Sequence, residues 1–303
     1  RLVPREVNGE EVIPFQGVGK YRVQGKKHAP TIPSFVDFPK DGNKVVESLK
    51  EALQKAGLED GMTISTHHHF RDGDLVSNQI FDIANELGVK DLRWFPSASF
   101  PCNSPLIKYL EDGTIHHIEG SLNGPLGRLA SEGKMSGTVV LRSHGGRVQA
   151  IQDGEVKIDI AVIAAPSCDS FGNANALYGP SACGVLGFAE MDVQYAEKVI
   201  MVTDNLVDFP CLPIQLAGNF VDYVVVVDKI GIPEKIRFKM MLKTSRDNAR
   251  TPMQWSNKCG FTSGTPWLKM NPNCDRINVL DQETTAHSIL NYYRKLIQLR
   301  KKH

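Results

Sequence analysis

The chain has 303 residues, 41% of them hydrophobic, with 35 Lys and Arg against 34 Asp and Glu. That length allows one large domain or two smaller ones, and the apolar share is enough for a buried core. So even a charge balance leaves a nucleic-acid role or a polybasic membrane role without electrostatic support.

Residues 1–42 are rich in Pro and Gly and weakly periodic, and read as an N-terminal arm, laid over a core or partly disordered. The opening Arg1-Leu2-Val3-Pro4-Arg5 has neither the apolar core of a secretion signal nor an initiator Met, which reads as a start inside a longer gene. Apolar residues at Val45, Val46, Leu49, Leu53 and Ala56 predict a helix stopped by Gly57 and Gly61. Met62 to Ser65 is a short strand, Val76 to Leu87 a helix closed by Gly88, and Asp91 to Phe95 a strand. Asp74 stands where it could cap the helix that begins at Val76. Short helices follow at Ile107 to Leu110 and Leu126 to Glu132, then strands at Thr138 to Leu141, Ile158 to Ala164, Lys198 to Val202 and Val221 to Val227.

Several of these strands are continuous apolar runs, the pattern of strands covered on both faces. With helices interleaved, the expected fold is α/β, an open and mainly parallel sheet with flanking helices. The texture changes after Ile236: residues 244–278 are dense in Pro, Gly, Asn, Trp and Thr and read as a long structured loop. Thr285 to Lys302 is an amphipathic helix with a basic C-terminal part. The expected organisation is an arm over 1–42, an α/β domain over 43–236 and a C-terminal fragment over 237–303. No apolar run approaches the roughly 18–20 residues that span a bilayer. The six cysteines, Cys102, Cys168, Cys183, Cys211, Cys259 and Cys274, form no CxxC pair and no zinc spacing, and read as reduced thiols in a cytoplasm.

Two glycine-bearing segments follow predicted strands. Ser143-His144-Gly145-Gly146-Arg147 comes after Leu141, and Pro166-Ser167-Cys168-Asp169-Ser170-Phe171-Gly172-Asn173 comes after Ala164. If those strands are parallel, both segments open on one sheet edge, where ligands of α/β sheets bind. Glycines there let a thioester or phosphate approach backbone N–H groups, which can also stabilise an oxyanion; equally, they can simply turn the chain. The run His67-His68-His69 suggests metal at first sight. In an extended segment three successive side chains cannot reach one ion, so a polar loop at a strand end is expected and no metal. His116 and His117 are expected to alternate in and out on a short strand, and Cys168 and Cys183 to be buried and inert.

From Arg1 to about Ile236 the chain resembles the citrate lyase alpha subunit. The resemblance is carried by Gly57-Leu58-Glu59-Asp60-Gly61-Met62-Thr63-Ile64-Ser65, by His67 to Leu75, by the two glycine segments, by Ser181 to Leu186, by Asp192-Val193-Gln194-Tyr195-Ala196 and by Val221 to Gly231. It implies a CoA-transferase-like fold and exchange of acetate for citrate on an acyl-carrier-protein thioester. The implied cofactor is a CoA-like phosphopantetheine group carried on the partner acyl-carrier (gamma) protein, and a beta subunit then cleaves the citryl thioester. Ser143, His144, Gly145, Gly146, Arg147, Ser167, Gly172 and Asn173 would face that thioester, and Arg71 or Arg147 would supply cations for the tricarboxylate. The catalytic residue itself is not indicated. Members of that family carry a second α/β half, and nothing here resembles it. The alternatives are a truncated, inactive transferase or a non-catalytic CoA- or carrier-binding module.

From about residue 237 the chain resembles the oligo-1,6-glucosidase and trehalose-6-phosphate hydrolase branch of the alpha-amylase superfamily. The motifs are Ser245-Arg246-Asp247-Asn248-Ala249-Arg250-Thr251-Pro252-Met253-Gln254-Trp255, Gly264-Thr265-Pro266-Trp267 and the helix through Tyr292 and Tyr293. That resemblance implies a loop and helix taken from a (β/α)8 barrel, with Asp247, Arg250 and Trp255 as carbohydrate contacts. The acidic pair that cleaves glycosides comes from barrel strands that have no counterpart here. The chain reads as chimeric.

Overall fold

The computed structural model describes residues 6–7, 10–11, 39–67, 69–236, 251–258, 264–266 and 270–302. Most of the expected N-terminal arm lies outside them. The chain divides into two compact units, Arg1–Arg237 and Phe238–His303, and each is described by itself.

In the first unit, β1 (Glu6–Val7) and β2 (Glu10–Glu11) form a short antiparallel ladder. β3 (Val45–Val46) comes next, then α1 (Leu49–Lys55). The predicted first turn of that helix is therefore a strand. Two adjacent Val residues favour extended backbone, and the helix starts only after Ser48, whose Oγ accepts the Glu51 N–H at 3.1 Å. β4 (Thr63–Thr66), α2 (Val76–Glu86), β5 (Leu92–Pro96), α3 (Ile107–Glu111), β6 (Ile115–Gly120), α4 (Gly124–Ser131) and β7 (Val139–Leu141) follow. The Asp74 carboxylate accepts from the Val76 and Ser77 N–H groups and so caps α2. After β7 come α5 (His144–Gln152), β8 (Ile160–Ala164), β9 (Ser167–Asp169), β10 (Ala174–Asn175), α6 (Ala189–Tyr195), β11 (Lys198–Thr203), β12 (Leu206–Val207), β13 (Tyr223–Val226) and α7 (Pro233–Ile236).

Eight strands make one sheet in the order β3-β13-β11-β8-β4-β5-β6-β7, and every neighbouring pair is parallel. From β4 the chain winds outward through β5 and β6 to β7. It then returns to lay β8 on the other side of β4 and winds outward again. The order reverses between β4 and β8, and this is where an open α/β sheet leaves a crevice at its carboxyl edge.

Alternation sorts the side chains. Ile160, Val162, Ile200 and Val202 join Ile64, Trp94 and Ile118 in the core beneath α1 to α4, whereas Ala161, Ile163, Val199 and Met201 face α5 and α6. Over β8 and β11 both faces are apolar. Over β4, β5 and β6 the α5 face instead receives Ser65, Arg93, His117 and Glu119, all buried. His116 is exposed and His117 buried, the expected alternation.

Residues after β8 and β11 fold back as a small sheet, β10-β9-β12, on the α5–α6 face, with Cys168, Ala174 and Leu216 in its core. No helix among the described residues is long and apolar enough to cross a membrane. Cys102, Cys168, Cys183 and Cys211 are free thiols, but Cys274 is disulfide-bonded, which corrects the expectation of six reduced thiols.

The second unit contains α8 (Val279–Thr284) and α9 (Ile289–Lys302). Asn278 caps α8, its Oδ1 accepting the Asp281 N–H at 2.9 Å. The amphipathic helix expected from Thr285 begins four residues later, because residues 285–288 form the connection to α8.

Candidate functional site

α5 begins inside the expected glycine loop: Ser143 is its N-cap, and Ser143 Oγ accepts the Gly146 N–H at 3.1 Å. His144, Gly145 and Gly146 are therefore a helical first turn and not a free glycine loop. Ser143, His144 and Gly145 are exposed. A Cβ placed on Gly145 would meet nothing within 4 Å, and its backbone is ordinary helix. Neither backbone conformation nor packing in this chain calls for glycine there, although glycine weakens a helix by roughly 0.5–1 kcal/mol relative to Ala.

Arg147, on the inner face of the same turn, is 2% exposed and points into the sheet. Its Nη2 donates to Asp192 Oδ1 at 2.8 Å, to Ser65 Oγ at 2.9 Å and to the Phe95 carbonyl at 3.2 Å, and Nη1 donates to Asp192 Oδ2 at 3.2 Å. The guanidinium lies 4.3 Å from the centre of the Phe95 ring. Asp192, on α6 and fully buried, also receives Ser65 Oγ at 3.0 Å and meets His67 Nδ1 at 3.2 Å. Burial alone would push the Asp192 carboxyl up, but the Arg147 guanidinium and the His67 imidazole outweigh it and hold the group below the usual carboxylate range. The result is an ion cluster joining the end of β4, the end of β5, α5 and α6 at the point where the strand order reverses.

Above it lies a stack of rings. His67 is 4.4 Å from His69 and 5.9 Å from Phe188, and Phe188 stacks on His144 at 5.0 Å. Phe188 is 40% exposed and bridges the end of β4 to the first turn of α5. Although β7 is separated from β8 by three strands, this stack and the Arg147 side chain bring the α5 turn back to the centre of the carboxyl edge.

A second buried cluster holds the approach to α5. Arg142, one residue before the cap, donates from Nε to Glu119 and from Nη1 to Glu155 at 3.2 Å, while Arg93 and His117 lie against Glu119 at 3.6 and 3.4 Å. Burial pushes the Glu119 carboxyl up, but His117 and Arg142 overcome it and leave the group lowered. The turn is thus gripped from both sides by charge.

The other expected site residues fare differently. Arg71 follows β4 on the same edge, is exposed with φ 52°, and its guanidinium has no partner among the described residues. Ser167 is buried with its Oγ accepting from Asn205. Gly172 and Asn173 are not brought to the α5 turn. Gly172 has φ 92° and lies where a Cβ would come within 2.7 Å of Val221, and Asn173 is tied to Asp169 and Gly218. Lys44 and Val221, which hold this turn, precede β3 and β13, so it has folded back toward the amino ends of those strands. The expectation of two loops on one rim therefore holds only as far as Ser167. The small sheet carries the rest away, because Cys168 and Ala174 bury against the sheet face.

Burial pushes the Cys168 thiol well up and that of Cys183 to about 12, so neither is a ready nucleophile. Among the described residues no group of His, Cys, Asp and Glu could hold a metal ion. In the second unit, Asp247 and Arg250 lie outside the described residues and Trp255 is half exposed. A cavity of about 350 Å³ there is lined mainly by Met253, Ile277, Val279, Ile289, Leu290 and Tyr293, without Trp255.

Residues 42–248 match the family of the citrate lyase alpha subunit. The chain belongs to the citrate lyase alpha subunit family. It is 44% identical over 194 residues to the citrate lyase alpha chain of Klebsiella pneumoniae, covering 64% of this chain and 38% of that one. A solved structure of the alpha subunit of citrate lyase from Streptococcus mutans, in complex with citrate, is 40% identical, with a TM-score of 0.68 over 74% of this chain and 45% of that one. The chain thus spans about two fifths of the length of the curated alpha chains it matches. A separate similarity, 52% identity over 73 residues, is to an oligo-1,6-glucosidase of Parageobacillus thermoglucosidasius and covers 23% of this chain and 13% of that enzyme.

The sequence pattern does not single out Phe188, and it reaches Ser65 and Asp192 only as parts of a resemblance. A usable signal was present: Arg93 and Glu119 interrupt buried strands on the face that should be apolar, which implies charged partners arriving from a helix above.

Proposed function

We propose that this chain carries the citrate-recognising half of an acyl transferase that exchanges acetate for citrate on an acyl-carrier-protein thioester. The observation that supports the reading best is the α5 turn, clamped from beneath by Arg147 and Asp192 and open above Gly145. N–H groups at a helix start favour a carboxylate or a developing oxyanion. Arg71, exposed on the same edge, would meet a further carboxylate. Ser143 caps the helix; His144 and Phe188 wall the approach; Gly145 and Gly146 leave room for the ligand. Arg147 orders the turn from below and does not face the ligand. The thioester would arrive on a phosphopantetheine arm of the gamma carrier protein, with the beta subunit as the next partner, in the cytoplasm. The residues present fit such an arm in kind, with exposed backbone donors and an apolar ring beside them.

A second reading has its own support. With about two fifths of the length of its relatives, the chain would bind citrate or carrier without turnover. Calorimetric titration of citrate into the full chain tests the shared part of both readings. Saturable heat that is lost in Gly145→Val supports them; no heat at millimolar citrate overturns the first and confines the second to carrier binding. Acetyl-to-citryl exchange on added acetyl carrier protein then separates enzyme from module.

A further inference from the structure

We propose that Asp192 is the positioning residue of this site, fixing His67 as the Nδ1–H tautomer while it anchors the α5 turn through Arg147. The proposal rests on the citrate-binding reading for its functional consequence but not for its geometry.

Arg147 is a donor only, and both Asp192 oxygens accept from it, at 2.8 and 3.2 Å. Ser65 adds a third contact at Oδ1. The carboxylate is ionised in this company, so it can offer His67 nothing but an acceptor. His67 Nδ1, 3.2 Å from Oδ2, must carry the proton. In the neutral ring Nε2 is then the unprotonated nitrogen. His67 touches His69 and Phe188, and Phe188 touches His144. One side chain therefore sets both the proton position of the ring at the end of β4 and the height of the turn that stacks beside it.

Replacing the carboxylate by an amide gives a directional outcome. In Asp192→Asn the carbonyl oxygen stays where Arg147 Nη2 and Ser65 converge, at the present Oδ1. The NH₂ group then occupies the Oδ2 position, where it opposes the single Arg147 Nη1 donor at 3.2 Å instead of the two closer donors at Oδ1, and it faces His67. Nδ1 must become an acceptor, and the ring must change to the Nε2–H tautomer. Loss of packing alone has no reason to reverse a tautomer.

The decisive measurement is long-range ¹⁵N–¹H NMR of the imidazoles in the full chain, at a pH where His67 is neutral. The unaltered chain should show His67 protonated at Nδ1, and Asp192→Asn should show it protonated at Nε2. An Nε2–H ring in the unaltered chain overturns the proposal, and so does an unchanged tautomer in folded Asp192→Asn. Should that variant fail to fold, the first spectrum still decides, and Ser65→Ala serves as the second variant. It removes one contact to Asp192 but leaves the carboxylate, so the Nδ1–H tautomer should persist and amide exchange at Gly146 and Arg147, whose N–H groups bond Ser143, should rise severalfold; unchanged protection there overturns the anchoring role. In citrate titrations Asp192→Asn should weaken binding at least tenfold. If the unaltered chain binds no citrate, the functional reading fails while the tautomer result stands or falls separately.

Discussion

The two units carry motifs of similar density, yet they are built very differently. The first buries Trp94, Phe70, Phe81, Leu53 and many more apolar side chains on both faces of an eight-stranded sheet. In the second, the only buried residues among those described are Asn278 and Ser288, both polar, and both spent on local caps and turns. The apolar stripe of α9, from Ile289 through Tyr293 and Leu296 to Leu299, is exposed throughout. A matching motif does not by itself supply buried surface, and among its described residues the glucosidase-like segment has no apolar core.

The contrast predicts a ladder of effects. Phe81→Ala, at 0% exposure and edge-on to Trp94, should cost roughly 3–5 kcal/mol in urea denaturation followed by circular dichroism. A cost below about 1 kcal/mol would mean that the first unit is no better packed than the second. Acid comes next. Asp192 and Glu119 have lowered pKa values in the folded chain, so the stability they supply is fully present above the unfolded carboxylate values of about 4 and is lost as pH falls through the folded ones. The thermal midpoint of the first unit should hold from pH 7 to about 5 and fall below about 4, since each tenfold difference in proton affinity between folded and unfolded chain is worth about 1.4 kcal/mol; a midpoint that rises on acidification contradicts the two clusters.

Glycines sharpen the same comparison within the first unit. Gly172→Ala, at φ 92° and against Val221, should lose about 1–3 kcal/mol. Gly145→Ala should gain about 0.5–1 kcal/mol, since Ala is the better helix former and meets open space, while its citrate affinity falls. A Gly145→Ala protein that gains stability and binds citrate as before would remove that turn from the ligand site. The smallest effect belongs to the second unit: Leu296→Ala, 43% exposed, should change stability by no more than about 0.5 kcal/mol.

Much of this was legible in advance. Continuous runs such as Ile160 to Ala164 announce strands covered on both faces, and the parallel sheet follows. What pattern could not supply was the helix at His144–Gln152. Two glycines in its first turn mimic a loop, and the compensating grip comes from Arg142 and Arg147, whose partners Glu119 and Asp192 are distant in sequence. The turn at Gly172 misled for the opposite reason. Its glycine is conformational, required by a positive φ, and the chain there has already folded back under the sheet. Val45–Val46 fits a helical period by spacing, but β-branching favours extended backbone there and the pairing with Val224 and Val225 fixes it.

The neighbours of β4 have a kinetic consequence. Ile64 pairs with Trp94 on one side and with Ile160 on the other. During synthesis β4 can therefore recruit β5 early, but its second flank stays bare until almost a hundred further residues have been made. β3 waits longer still, for β13. Parallel pairings of such separation form slowly, and until they do the nascent chain leaves the free edge of β4 open to any similar strand nearby. Synthesis rate and chaperone access, more than the final packing, should then govern how much of this chain reaches its folded form.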